Sequence, residues 1–175
     1  MYCAREGRCS ILVDDCEMSP IKMKKTIFIT TALLLASSTA FAGKMVMPSD
    51  APASYEAECA SCHMAYPPAL LSQQSWKNVM SGLPKHFGTD ASVDPKTQAE
   101  ITSWLVKNAA TRQKYSETAP ENRISKTSWF IRKHDEIKPD VWKRAGIKSA
   151  ANCGACHIDA AKGNFSENNI KIPAK

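Results

Sequence analysis

Apolar positions along this chain gather into short helical stripes separated by proline-bounded polar stretches, and no run alternates convincingly as a strand. An extended lead-in at residues 43–53, holding Pro48 and Pro52, precedes Ser54, which is placed to cap a short helix over Tyr55 to His63. Pro67 and Pro68 stop that helix. Trp76, Val79, Met80 and Leu83 then recur at helical spacing and predict a second helix from Ser72 to Leu83. The clearest pattern is Asp94 to Ala110: Asp94 caps, Pro95 takes the first helical position, and Ile101, Trp104, Leu105 and Asn108 mark one face. Residues 111–127 are polar and contain Pro120, the composition of a linker running over the surface. Helical segments follow at Ser128 to His134 and Pro139 to Ala145, and a last helix begins near Ala150 and ends at Gly163. The expected fold is mostly α with abundant loop.

From Met23 the chain reads MKKTIFITTALLLASSTAFAGK: a basic start, a short apolar run, and Ala40-Phe41-Ala42 before Gly43. That order is a secretory signal peptide at 23–42, too short in its apolar part to remain as a membrane span. Residues 1–22, with three cysteines and several acidic side chains, do not fit a leader and read as a mis-called start. The expected mature chain, 43–175, is one exported, periplasmic domain that does not span a membrane after cleavage.

Leu, Ile, Val and Phe supply 20 of those 133 residues, about 15%. So few large apolar side chains do not usually close a core, and the large net charge that accompanies disorder is missing. Something other than side chains is expected to supply apolar volume.

Of seven cysteines in the sequence, Cys59, Cys62, Cys153 and Cys156 follow Gly43, and they form Cys-Ala-Ser-Cys-His at 59–63 and Cys-Gly-Ala-Cys-His at 153–157. Two disulfides would be the ordinary reading in an exported chain, yet a disulfide needs no adjacent histidine. A zinc ribbon would leave both histidines without a task, and a thioredoxin-like pair would need a strand-helix-strand setting. Cys-x-x-Cys-His is instead the attachment signature of a c-type heme: two thiols for the vinyl groups and an imidazole for the iron. Two copies predict two covalent hemes, with residues 43–110 as the first heme half and 128–175 as the second. Porphyrin would then fill the centre that the side chains cannot.

Beyond His63 and His157 the chain has only His86 and His134, and each lies 23 residues from the nearer attachment histidine. Two irons need two distal ligands and two histidines remain, so bis-histidine ligation is expected, His86 with the first heme and His134 with the second; crossed pairing stays open. Met80 is the alternative ligand, although its helical neighbours suggest core filling. Two imidazoles would leave a low-spin iron of fairly low potential without a vacant position. The four tryptophans, Trp76, Trp104, Trp129 and Trp142, are read as packing against porphyrin or core.

From Gly43 onward there are 18 Lys and Arg against 13 Asp and Glu, a formal +5 that four heme propionates would largely cancel. Nucleic acid is therefore not an expected partner. Lys126, Arg132, Lys133, Lys138, Lys143, Arg144 and Lys148 nevertheless surround the second half in sequence, either as a solvated face or as a docking patch for an acidic redox protein.

The stretches ECASCHMAYPPALL, SWKNVMSGLPKHFGTDASVD and WFIRKHDEIKPDVWKRAGIKSAANCGACH resemble the bacterial diheme cytochrome c family over roughly Tyr55 to Pro173. The resemblance implies a small exported electron carrier with two bis-histidine hemes, attached at Cys59, Cys62, Cys153 and Cys156, with His63, His157, His86 and His134 as iron ligands. It also implies redox partners such as a monoheme c-type cytochrome or a membrane cytochrome b. The expected function is single-electron transfer rather than catalysis. A heme enzyme, peroxidase or reductase, or a heme ligand sensor would require one open iron site.

Overall fold

The structure, a computed structural model, describes residues 45–174. The expected signal peptide at 23–42 and residues 1–22 lie outside the described residues. Among those described, four α-helices are present: α1 (Ala53–Cys59), α2 (Gln73–Ser81), α3 (Pro95–Lys107) and α4 (Ser128–Lys133), joined by loops and single turns of 3-10 helix. Ladder pairing reduces to two isolated bridges, His86 with Thr89 and His157 with Ile170. No described helix is long and apolar enough to cross a membrane.

The capping chemistry sets α2 and α3. Ser72 Oγ accepts from the Ser75 backbone N–H, and Asp94 Oδ1 accepts from Lys96 and Thr97 at 3.0 and 3.1 Å, with Pro95 at the first helical position. α3 then turns Ile101, Trp104 and Leu105 inward against Trp76, Met80 and Leu83 from the α2 segment, and α1 adds Tyr55, whose ring sits 4.7 Å from that of Trp104. Ile101 and Leu105 are each 1% exposed, and burying side chains of this size contributes about 1.5–3 kcal/mol apiece. The indoles are also satisfied at their polar ends: Trp76 donates to the Pro68 carbonyl at 2.7 Å and Trp104 to Asp50 at 3.2 Å.

The second half has far less of its own. Its buried cluster is Leu70, Trp129 and Phe130, with Leu70 contributed by the first half, while Ile147 and Ala160 are buried outside it. Trp142 and Phe165 pack on it while remaining partly exposed. Beyond α4 the backbone is held by turns and by a tail that folds back. The Lys171 N–H donates to the Cys156 carbonyl at 2.9 Å, Arg144 donates to the Pro173 carbonyl, and Asn169 donates to Asp159.

Four expectations need correction. Ser54 is not the cap of α1: the helix starts at Ala53 behind Pro52 with no side-chain cap, and the Ser54 hydroxyl donates to Glu100 instead. α1 also ends at Cys59, so His63 lies in the following turn. The segment from Pro139 to Ala145 forms only the 3-10 turn Val141–Lys143, because Arg144 returns to extended backbone. The helix expected from Ala150 breaks into the 3-10 turns Cys153–Ala155 and Ala160–Lys162, since Asn152, Gly154 and Asp159 are poor helix formers and no apolar stripe compensates them. Gly163 does end the segment, at φ 72°, where a Cβ would lie 2.2 Å from the Met45 carbonyl oxygen.

The polar stretch 111–127 is pinned to the first half. Its Ala119 is buried, and the Ala119 N–H donates to the buried Ser75 hydroxyl at 2.8 Å, while Asn78 donates to Asn122. Ser75→Ala would leave the Ala119 N–H buried without a partner. The expected loss is about 1–3 kcal/mol, measured as a lower denaturant midpoint with unchanged helical circular dichroism.

Candidate functional site

The two cysteine–histidine motifs are built on different local structures. In the first, Cys59 closes α1, and Cys62 and His63 lie in the turn beyond, where Ser61 donates to the Glu58 carbonyl at 3.0 Å. His63 Nδ1 faces the Met64 carbonyl at 2.8 Å, which favours the Nδ1–H tautomer and leaves the Nε2 lone pair free. In the second, the 3-10 turn Cys153–Ala155 carries the motif, with the His157 N–H donating to the Cys153 carbonyl at 2.8 Å. His157 Nδ1 is buried with no partner.

Each motif meets one of the remaining histidines. His86 lies 6.2 Å from His63, ring centroid to centroid, with 28° between planes, and His134 lies 6.2 Å from His157 with 84° between planes. The rings are thus brought together in the uncrossed order, and equal spacing arises at two different backbones. An iron held from both sides by imidazole, at about 2 Å per bond with each ring centroid about 1 Å behind its nitrogen, spaces the centroids by about 6 Å. The residues present fit a bis-imidazole iron at both centres, beside two thiols each.

His86 is delivered by a tight turn. Phe87 and Gly88 have φ of 50° and 101°, and the Thr89 N–H donates to the His86 carbonyl at 3.0 Å, the pattern of a turn with two left-handed central residues. A left-handed conformation is unusual for phenylalanine, and here the Arg123 guanidinium lies over its ring, 4.2 Å from the centroid. Burial, then His63, then Arg123 hold the His86 imidazole below its ordinary pKa, which keeps its ring neutral and available as a donor ligand.

His134 is placed by α4, as its C-cap. Its Nδ1 faces the Phe130 carbonyl at 2.9 Å, and the Phe130 ring stacks on it at 4.0 Å and 19°. Trp142 stands 5.8 Å away on another side, and Phe165 packs 5.5 Å from His157. Burial, then His134, lowers the His157 pKa. Aromatic rings also meet the first pair, Tyr66 at 4.8 Å from His63 and Phe87 at 4.7 Å from His86.

The thiols do not support the competing readings. Burial, followed by Glu58 and Glu56, pushes Cys59 up to about 11, and burial pushes Cys153 up to about 11, opposite to the lowered pKa of a dithiol redox pair. Among the described residues, no three His, Cys, Asp or Glu side chains converge to hold a metal ion directly, so the two motifs do not assemble a zinc ribbon. Met80 lies buried in the first cluster at 4% exposure. Of the basic cluster, Lys133 is paired with Glu167 at 2.9 Å and Arg144 is committed to the Pro173 carbonyl; Lys126, Arg132, Lys138, Lys143 and Lys148 remain exposed.

Sequence reasoning overlooked Tyr66, Arg123, Phe165 and the returning tail. Tyr66 alone carried a signal, since it follows His63 by three residues.

A family model described as dihaem cytochrome c matches residues 55–165. Among solved structures, a diheme cytochrome type c from Shewanella baltica is 41% identical, with a TM-score of 0.62, over 70% of this chain and 93% of its own. A diheme cytochrome c from Rhodobacter sphaeroides is 41% identical, with a TM-score of 0.59, over 69% of this chain and 99% of its own. A second structure from that organism, named DHC, is 43% identical, with a TM-score of 0.58, over 69% of this chain and 100% of its own. Comparison with curated proteins finds no match.

Thr127 caps α4, its hydroxyl accepting from the Phe130 N–H at 3.3 Å while donating to the Ile124 carbonyl at 2.7 Å. Thr127→Ala is expected to cost about 0.5–2 kcal/mol and to speed hydrogen exchange at Phe130 and Ile131, leaving the α2 and α3 amides unchanged.

Proposed function

We propose, from the premise that this chain belongs to the dihaem cytochrome c family and takes two c-type hemes, that it is an exported carrier of single electrons with bis-histidine iron at both centres. The first heme is assigned to the Cys59 and Cys62 sulfurs with His63 and His86 as axial ligands. The second is assigned to Cys153 and Cys156 with His157 and His134. The equal 6.2 Å spacing of the two histidine pairs carries this reading.

Bound heme supplies reversible one-electron chemistry at its iron. The chain's part is to hold the coordination sphere unchanged while the charge changes. Carbonyl partners at Nδ1 orient His63 and His134, and burial keeps His86 and His157 neutral. Phe130, Trp142 and Phe165 put apolar surface against the second pair. Were His63 with His86 and His157 with His134 to hold the two irons, no position would be left for a substrate, which favours a carrier over a peroxidase, a reductase or a ligand sensor.

Export through the leader at 23–42 to the periplasm agrees with thioether attachment, and the family resemblance suggests a monoheme c-type cytochrome or a membrane cytochrome b as partner. Lys138, Lys143 and Lys148, exposed in the segment between His134 and Cys153, form the proposed docking face for an acidic redox protein.

The imidazole planes, 28° apart in one pair and 84° in the other, would make two bound irons inequivalent, because the orbital splitting of low-spin ferric iron depends on whether its imidazoles are parallel or crossed. Oxidised protein is expected to give two distinct low-spin paramagnetic resonance signals and to bind no carbon monoxide when reduced. His86→Met should replace only the signal of the first centre and His134→Met only that of the second. A high-spin signal in the unmodified protein would instead favour the enzyme or sensor reading. For the docking face, the Lys138, Lys143 and Lys148→Gln triple variant should show electron-transfer rates to an acidic partner that depend less steeply on salt than those of the parent. An unchanged salt slope would remove these lysines from the interface.

A further inference from the structure

We infer that Tyr66 is the positioning residue that fixes the two centres against each other and carries the electronic contact between them, an inference that rests on the two-heme reading above. Its ring lies 4.8 Å from the His63 ring at 32°, within van der Waals reach of the first centre. Its hydroxyl donates to the Ala151 carbonyl at 2.6 Å, 85 residues away and two residues ahead of Cys153. The Cys153 thiol points at that same carbonyl, at 3.7 Å. One side chain thus touches a ligand of the first centre with its face and the backbone feeding the second centre with its tip.

Tyr66 is also held from behind. The Tyr55 hydroxyl, from the first core, donates to the Tyr66 carbonyl at 2.6 Å, and the next two residues, Pro67 and Pro68, are fully buried and fix the backbone direction. Tyr66 packs against both hydrophobic clusters, a position it shares with Ile124. Ile124 contributes no polar link to either motif. The route from His63 to Cys153 through Tyr66 consists of one ring contact, one hydrogen bond and otherwise covalent bonds.

In the step this serves, one electron leaves the reduced centre and arrives at the oxidised one. Tyr66 is neither oxidised nor deprotonated, so no external oxidant, reductant or proton acceptor is needed.

The test compares the heme-loaded parent with Tyr66→Phe, which keeps the ring and deletes the hydrogen bond, and Tyr66→Leu, which deletes both. Heme content is checked by mass and pyridine hemochrome, and internal transfer is followed after flash reduction of half-reduced protein, using the two distinct spectral signatures. Tyr66→Phe should retain two low-spin hemes and transfer several-fold more slowly, with Tyr66→Leu slower again. Ser75→Ala serves as the stability control, less stable yet with the parent's transfer rate. Equal rates in the parent and both Tyr66 variants, or a slowing in Ser75→Ala as large as that in Tyr66→Phe, would overturn the inference alone. A parent without two low-spin hemes would overturn the reading beneath it as well.

Discussion

The shortage of large apolar side chains governs how this polypeptide is built. A chain of this length must offset the conformational entropy of well over a hundred ordered residues, and hydrophobic burial is the main term available for that. The first half meets the demand with aromatic rings: Trp76, Trp104 and Tyr55 cover the area that Leu and Ile would normally supply. The second half meets it only in part with side chains: Trp129 and Phe130 form a small buried cluster with Leu70, and Ile147 and Ala160 are buried outside it. Two covalent porphyrins turn this deficit into a design, each being a flat apolar body much larger than a tryptophan.

This explains why the polar bonding is concentrated where it is. Around the second motif the tail supplies the bonds that a helix would otherwise have made, and the Cys156 carbonyl accepts from Lys171 rather than from a residue one turn on. Around the first, α1 brings Cys59 to its end and a strained turn brings His86. Different backbones converge on the same interval between imidazoles, as expected where the cofactor sets the spacing and the chain adapts to it.

Much of this was legible in the sequence, and the reasons are local. Asp94 with Pro95, and Ser72 ahead of the Trp76 stripe, are capping signals whose chemistry acts within one turn, so α2 and α3 appear where the pattern puts them. The histidine arithmetic could be done at all because a c-type motif fixes one expected ligand and leaves few candidates for the other. What was not legible depends on distant residues. Ser54 looks like a cap until Glu100 takes its hydroxyl, and the helix expected at Ala150 gives way to turns tied down by residues 169–173. Tyr66 was missed because its meaning comes from Ala151, 85 positions later.

The returning tail has a consequence for how the molecule is made. The core behind the first motif, from Met47 to Ile124, and the Arg123 that lies over Phe87 all precede the end of the turn Ile124–Lys126 in the chain. The second motif is closed only by residues 170–173, and by the passage of Met45 against Gly163. The backbone bond that closes the second motif therefore comes from residues that follow it in the chain, so its final packing waits on the last stretch of polypeptide.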